Sequence, residues 1–150
     1  MSSMPNFDDV EKSAAQLYEQ KNFKEAEKLY TEFIEGSSSS ELNETLASAY
    51  NNRGHSRYMQ VLFDEAIEDY RVALFHDPTH AVAYYNRGTI YYRLCQAHSE
   101  EFGARDDQLH KAIADFEMAT KYQPENEDFL EGLNNSKQEL LKTYQSRNIL

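Results

Sequence analysis

Several residue types that favour particular classes of protein are scarce in this sequence. Its 150 residues include one cysteine, Cys95, three prolines, five glycines and no tryptophan. One cysteine cannot form an internal disulfide, which excludes a disulfide-stabilised scaffold and fits a reducing compartment. The five glycines are not clustered, so the sequence has no glycine-rich phosphate-binding loop.

Long apolar runs are also missing. No stretch of about eighteen consecutive apolar residues occurs, and the N-terminal sequence "MSSMPNFDDVEK" has neither the basic nor the apolar region of a signal peptide. The sequence therefore predicts a soluble intracellular protein, with the cytoplasm favoured and the nucleus left open.

Basic residues are outnumbered by acidic ones. The 15 lysines and arginines against 26 aspartates and glutamates give a formal net charge of −11, and the excess is largest in residues 1–46. A negative surface repels phosphate backbones, and the sequence shows no cluster of lysine and arginine that would offset it. We therefore expect neither nucleic acid nor an anionic membrane as a partner.

Two stretches of ten residues nearly repeat each other. Residues 49–58 read "AYNNRGHSRY" and residues 83–92 read "AYYNRGTIYY". Asn52 and Asn86, like the Arg-Gly pairs that follow them, are 34 positions apart. A fixed offset over several residues is typical of repeated structural units.

A second shared pattern follows each of these stretches. Residues 66–73 read "AIEDYRVA" and residues 112–119 read "AIADFEMA", with apolar residues at the i, i+4 and i+7 positions of one helix face. Each pattern ends near a proline, Pro78 or Pro124, which cannot continue a helix without losing a hydrogen bond. Each unit is therefore predicted as helix, turn, helix and break, and a weaker copy occurs at 23–34.

Small residues face large ones across the predicted helix pairs. The two backbones of a pair could approach closely at Gly54 and Ala66, and again at Gly88 and Ala112. Tyrosine and phenylalanine side chains would fill the space around each contact. No segment of useful length alternates with period two as a strand would. The sequence predicts an all-α protein.

This pattern of aromatic, glycine, alanine, aromatic, alanine and proline resembles the tetratricopeptide repeat (TPR). The matching residues are Tyr50, Gly54, Phe63, Ala66, Tyr70, Ala73 and Pro78 in one unit, and Tyr84, Gly88, Tyr91, Ala112, Phe116, Ala119 and Pro124 in the next. The resemblance implies a TPR-type helical-hairpin solenoid with three helix pairs and a C-terminal capping helix. The implied boundaries are a single domain over 1–150, with a degenerate repeat at 7–40, a linker at 41–46, repeats at 47–80 and 81–124, and the capping helix at 125–146.

The third unit is longer than the second. Pro78 and Pro124 are 46 positions apart, against 34 for the repeat, which leaves twelve extra residues. They lie within about 96–107, where two helices should turn, and we expect an extended helix end and a mobile loop. Such a loop carries function in some proteins and is a tolerated surface insertion in others.

The segment after Pro124 predicts the capping helix. Asn126 can act as its N-cap, and its leucines and Phe129 form one apolar stripe. A solenoid needs such a helix to cover its last apolar face.

No set of side chains has the spacing of a catalytic or metal site. His76 and His80 are four residues apart, but Pro78 lies between them. His98 and His110 flank the insertion without a cysteine or carboxylate at regular ligand spacing. We therefore expect no enzyme activity, no cofactor and no bound metal.

A binding surface is the function that the resemblance implies. In TPR domains the first helix of each repeat lines a concave groove that holds an extended peptide. Carried over to this sequence, the groove positions are Ser48, Asn51, Asn52, His55, Tyr58 and Met59 in the second repeat, and Val82, Tyr85, Asn86, Thr89, Tyr92 and Arg93 in the third. Asparagine can hydrogen-bond a peptide backbone, and tyrosine adds rigid apolar area with a polar tip. The alternative is that Asn52 and Asn86 only satisfy nearby helix ends or solvent.

TPR domains of chaperone cofactors hold the carboxyl terminus of a heat-shock chaperone in a two-carboxylate clamp of lysine, arginine and asparagine. The matching positions here hold Glu11, Ala15, Asn52, Val82 and Asn86, of which only Asn52 fits. A clamp without cations does not offset the desolvation of the ligand's carboxylates. The sequence therefore disfavours chaperone carboxylate-clamp binding.

Two functions stay open at this point. The chain is either an adaptor that binds a peptide segment of an unknown protein in its groove, or a structural protein that assembles through its convex face or the insertion, with itself or with others.

Overall fold

Seven α-helices and no β-strand form the part of the chain that the structure, a computed structural model, describes, which is residues 5–38, 40–98 and 100–148. The helices are α1 (Phe7–Glu19), α2 (Phe23–Gly36), α3 (Asn43–Met59), α4 (Phe63–His76), α5 (Ala81–Ala97), α6 (Phe102–Tyr122) and α7 (Glu127–Ser146). The all-α prediction is confirmed. No helix among the described residues combines the length and the apolar character needed to span a membrane.

The chain divides into two compact units, Met1–Pro78 and Thr79–Leu150. The first unit holds α1 to α4 and the second holds α5 to α7. The single domain over 1–150 stays a prediction, and each unit is described by itself below.

Asparagine side chains cap α1 and α7. Asn6 Oδ1 accepts a hydrogen bond from Asp9 N at 2.9 Å, and Asn126 Oδ1 accepts one from Phe129 N at 3.2 Å. Acidic residues occupy the first turn of both helices, where the helix dipole favours negative charge. The structure thus has Asn126 in its predicted role.

Equivalent turns end α1 and α3, although neither contains a glycine. Lys21 (φ 57°) and Val61 (φ 63°) adopt the left-handed backbone conformation. The N–H of the following residue then reaches back five positions, from Asn22 to Leu17 O at 2.7 Å and from Leu62 to Arg57 O at 2.9 Å. These bonds satisfy carbonyl groups that a helix C-terminus otherwise leaves unpaired.

Gly54 and Gly88 bring the two helices of a pair into direct contact. A Cβ atom on Gly54 would lie 2.7 Å from Tyr70 Cε1 and 3.2 Å from Asp69 Cβ. A Cβ atom on Gly88 would lie 3.0 Å from Phe116 Cε1. Both aromatic side chains are buried, so the predicted close approach at these two glycines is found in both units.

The arginine before each of these glycines binds an aspartate on the second helix of its pair. Arg53 donates from Nη2 to Asp69 Oδ1 at 2.7 Å and from Nε to Oδ2 at 3.0 Å. Arg87 donates in the same way to Asp115, with both distances 2.8 Å. Both carboxylates are buried, and the two parallel bonds match the planar guanidinium to the carboxylate.

The twelve extra residues of the third unit mainly lengthen helices. α5 ends at Ala97 and α6 begins at Phe102, so residues 102–107 of the predicted loop are helical. α6 has 21 residues, against 14 in α2 and in α4. The described connection is correspondingly short, and Ser99 lies outside the described residues. α3 likewise begins inside the predicted linker 41–46, at Asn43.

Contacts with α7 explain why the added turns of α6 are ordered as helix. Tyr144 Oη donates to Asp106 Oδ1 at 2.6 Å, and Arg105 Nε donates to Thr143 Oγ1 at 3.1 Å. Tertiary contacts of this kind stabilise a helical turn that local propensity alone leaves marginal.

We expect Gly54→Ala to destabilise the chain, although alanine is the better helix former. The new methyl group would meet Tyr70 Cε1 at 2.7 Å, so the ring or the helix must move. That movement costs about 1–3 kcal/mol against a gain of about 1 kcal/mol in helix propensity. Urea unfolding followed by circular dichroism measures the net effect.

Gly103→Ala is the matched control, because no atom lies within 4 Å of a Cβ added there. It should leave the free energy of unfolding unchanged or raise it by up to about 1 kcal/mol. Equal effects of the two substitutions would contradict a tight contact at Gly54.

Candidate functional site

A depression between α1 and α3 is the first candidate site, and we call it the α1–α3 depression. It has a volume of about 360 Å³ and is lined by Glu11, Ala15, Tyr18, Tyr30, Asn52 and His55. Two of these residues, Asn52 and His55, are predicted groove residues of α3.

Aromatic rings form one wall of the α1–α3 depression. The Tyr18 ring stacks on His55 with centroids 5.4 Å apart and planes 5° apart, and Tyr58 stacks on His55 with centroids 6.1 Å apart. Tyr18 Oη shares a hydrogen bond of 2.7 Å with Ser56 Oγ. Burial raises the pKa of Tyr18 to about 12, so its hydroxyl stays neutral.

Asn52 already has hydrogen-bond partners in this depression. Its Nδ2 donates to Glu11 Oε1 at 3.3 Å, and its Oδ1 accepts from Asn51 Nδ2 at 3.2 Å. An amide also carries a second N–H and a second lone pair. The Asn52 side chain is also hydrogen-bonded to the Tyr30 side chain. Asn52 therefore satisfies neighbouring side chains rather than a helix end, and a contact from it to a ligand stays a prediction.

A depression between α5 and α7 is the second candidate site, the α5–α7 depression. It has a volume of about 250 Å³ and is lined by Tyr85, Thr89, Tyr92, Phe116, Asp128, Glu131, Gly132 and Asn135. The first three are predicted groove residues of α5.

Stacked rings also support this second depression. Tyr85 lies against Phe129, with centroids 4.8 Å apart, and against Phe116, with centroids 5.7 Å apart. A Cβ atom on Gly132 would lie 2.9 Å from Phe116 Cε1. Gly132 on α7 thus meets the same ring that Gly88 meets from α5, and Phe116 is part of the lining of this depression.

Seven predicted groove residues line neither depression: Ser48, Asn51, Tyr58, Met59, Val82, Asn86 and Arg93. Asn51 is only 5% exposed, which leaves it less open to a ligand than predicted. Met59, Val82 and Arg93 are exposed, and the other three are half-buried. Six of the twelve predicted groove residues lie in the first unit and six lie in the second.

The lining residues of α1 and α7 were not predicted as groove residues. The sequence predicts α7 only as a capping helix and assigns α1 no groove residue. A signal was present, because in the repeat register Asp128 and Gly132 occupy first-helix positions, like Glu11 and Ala15. Each depression needs a first helix on both sides, so the flanking helices contribute as much as α3 and α5.

Among the described residues, no group of three or more histidine, cysteine, aspartate or glutamate side chains is placed to hold a metal ion. His98 Nδ1 lies 3.9 Å from Glu101 Oε2, and His110 Nδ1 lies 3.4 Å from Asp106 Oδ1. His98, the C-cap of α5, thus faces the N-cap residue of α6, and His110 faces a carboxylate one turn earlier in α6.

Comparison with known proteins gives the fold a context. No known family model matches the chain. The first TPR domain of Spaghetti (RPAP3), bound to the HSP90 peptide SRMEEVD, is similar with a TM-score of 0.72 and 18% identity, over 90% of this chain and 95% of that chain. The Arabidopsis OM64 TPR domain is similar with a TM-score of 0.70 and 23% identity, over 89% and 95% of the two chains. This chain has the TPR fold.

A third similar structure is the second TPR domain of human RPAP3 in complex with the HSP70 peptide SGPTIEEVD, with a TM-score of 0.67 and 20% identity over 85% of this chain and 92% of that chain. The helical-repeat fold that the repeated residues predicted is therefore confirmed.

The prediction that disfavoured chaperone binding is contradicted by these structures. Two of the three similar domains hold a chaperone peptide. The prediction had counted lysine and arginine at five positions, whereas a bound peptide is also held by hydrogen bonds to its backbone and by pockets for its side chains. Missing cations at those positions are not sufficient to exclude this class of ligand.

We expect the imidazole of His55 to titrate below the ordinary value of 6.5, because burial against two tyrosine rings lowers its pKa. The unfolded chain then binds this proton more tightly than the folded chain. The free energy of unfolding should therefore hold level above about pH 6.5 and fall as the pH drops below that value. Proton NMR titration of the His55 ring gives the pKa directly.

His55→Gln should remove this part of the pH dependence, and His110→Gln, at an exposed histidine, should retain it. A His55 pKa at or above 6.5 would show that the ring is more solvated than the stacking indicates.

Proposed function

We propose that this chain is a non-enzymatic protein-interaction module of the TPR family that binds a peptide segment of a partner, with the α1–α3 depression of the first unit and the α5–α7 depression of the second as separate candidate sites. One observation carries the proposal. In each unit, two first helices leave a depression that combines tyrosine rings with amide or hydroxyl groups. The peptides held by similar TPR domains support the same interpretation.

The chemistry of both depressions suits an extended peptide. Tyr18 and Tyr92 supply rigid apolar area with a polar tip, and Asn52 and Asn135 supply donors and acceptors for the peptide backbone. Volumes of about 360 and 250 Å³ lie at or below the small end of ligand pockets. Each depression is therefore proposed to take one or two side chains of the peptide.

The chaperone peptides SRMEEVD and SGPTIEEVD are the first ligands to test, because similar domains hold them. A cytoplasmic location is part of the proposal and is supported by the single, buried and free thiol of Cys95. The stretches "AYNNRG" and "YYNRG" also resemble tetratricopeptide repeat protein 32, and we propose a relationship to that small family member.

The test compares wild type with Asn52→Ala/Tyr92→Ala, which removes one lining side chain from each depression. Fluorescence polarisation with the two labelled peptides, and capture of partners from a lysate read by mass spectrometry, should both show weaker binding. Loss of one hydrogen bond and one ring contact predicts about a tenfold change.

Met59→Ala/Val82→Ala is the matched control, since both residues lie exposed on the same two helices and line neither depression. It should change binding less than about twofold, because it removes no proposed contact. Circular dichroism must show equal helicity for all variants. Equal binding by wild type and Asn52→Ala/Tyr92→Ala would place the function elsewhere, as an assembly protein requires.

A further inference from the structure

Three cations surround a pocket where α6 begins and α7 ends, and we call it the basic pocket. It has a volume of about 330 Å³ and is lined by Phe102, Arg105, Glu139, Lys142, Thr143, Ser146 and Arg147. Three basic residues against one carboxylate give the lining a formal charge of +2, in a chain whose net charge is −11. Neither proposed depression uses these residues.

Arg105 forms the fixed part of the basic pocket. Its Nε donates to Thr143 Oγ1 at 3.1 Å, its Nη1 donates to Cys95 O at 3.3 Å, and its Nη2 donates to the Glu139 carboxylate. The Arg105 side chain is only 14% exposed. Glu139 is therefore neutralised within the wall, and it does not cancel the charge of the remaining cations.

Lys142 and Arg147 have no such partners. Neither forms an ion pair with another residue in the described part of the chain, and both side chains are exposed. Lys111, on the same unit, differs, because its Nζ lies 3.1 Å from Asp107 Oδ2. The Arg147 guanidinium lies over the Phe102 ring, 5.0 Å from its centroid. That contact holds one cation at the pocket while leaving its N–H groups available.

The start of α6 adds to the positive potential. Phe102 is both the first residue of α6 and part of the pocket lining. Its N-cap residue, Glu101, makes no side-chain cap hydrogen bond, and N–H groups in the first turn of a helix can bind an anion.

We propose that the basic pocket binds a phosphate monoester, carried as phosphoserine or phosphothreonine on a partner peptide. A phosphate monoester has a charge of about −1.5 to −2 at pH 7 and three strong acceptor oxygens, which matches a lining charge of +2. A carboxylate offers half that charge and fewer acceptors. This inference rests on the proposed function for the peptide that carries the phosphate.

The experiment titrates ¹⁵N-labelled chain with O-phospho-L-serine, inorganic phosphate and glutamate, and follows amide chemical shifts. Shifts should concentrate at residues 102–105 and 142–147, with phosphoserine binding more tightly than glutamate. Lys142→Gln/Arg147→Gln should weaken phosphoserine binding about tenfold, because both unpaired charge contacts are lost. Shifts spread over the whole chain, or equal affinity for glutamate, would overturn the proposal.

Lys111→Gln/Lys121→Gln is the matched control, because it removes the same charge from exposed positions of α6 that do not line the pocket. It should change phosphoserine affinity less than about twofold, since exposed charges at a distance are screened. An equal loss in both double variants would mean that net charge, rather than this pocket, attracts the anion.

The source of the phosphate is tested with a degenerate peptide library made with phosphoserine or with serine at its centre. Preference for the phosphorylated library that is lost in Lys142→Gln/Arg147→Gln supports the proposal. Equal binding of the two libraries overturns it and leaves the proposed function standing, since the Asn52→Ala/Tyr92→Ala variant tests that function separately. Binding of phosphatidylserine vesicles in preference to both libraries would overturn it in favour of a membrane surface.

Discussion

In the α3–α4 and α5–α6 hairpins a glycine on the first helix lets the second helix approach its backbone, and the arginine beside that glycine neutralises an aspartate buried in the same contact. The two features lie at the same contact. A carboxylate such as that of Asp69 is costly to bury without a partner. Arg53 supplies that partner where Gly54 lets α4 pack closely on α3. Because Arg53 and Gly54 face α4, the helical period turns Asn52 and His55 to a neighbouring face, where the α1–α3 depression lies. The Arg53–Asp69 pair thus fixes which face of α3 is turned toward the α1–α3 depression.

The repeat made much of this fold predictable from sequence. The offset of 34 between Gly54 and Gly88 identified two equivalent first helices, and both glycines have the close contacts that their position predicts. The repeated aspartate, Asp69 or Asp115, could also be recognised in the sequence. The sequence does not show which arginine forms an ion pair with it. The turns at Lys21 and Val61 gave no signal, because a left-handed residue is usually glycine or asparagine and here it is neither. The sequence predicts residues 102–107 as a loop, whereas they are helical in the structure. Their contacts with α7 stabilise the helix, and such contacts between distant residues are not visible in the local sequence.

The limit of prediction from the sequence is clearer for the residues that line the candidate sites. Positions on α3 and α5 could be read from the register, and Asn52, His55, Tyr85, Thr89 and Tyr92 do line the depressions. The register also gives Asp128 and Gly132 first-helix positions, like Glu11 and Ala15, but it does not show that α1 and α7 line a depression, because that depends on which helix packs beside which. The same reason hides the basic pocket. Arg105 and Lys142 belong to no local cluster in the sequence, and only the packing of α7 on the lengthened α6 brings them to one pocket.

Composition also overstates how many cations are available to a ligand. Arg53, Arg87 and Arg105 each hold a carboxylate of the chain itself, and Arg57 holds two, on Glu27 and Asp69. Such arginines stabilise the fold and are poorly placed to bind an external anion. A count of lysine and arginine at a few positions therefore says little about ligand class, in either direction. What decides the class is which cations remain without an ion pair after folding. Among the described residues of the second unit, Lys142 and Arg147 are the cations of the basic pocket that form no ion pair, and they lie where the inserted turns of α6 meet the end of α7.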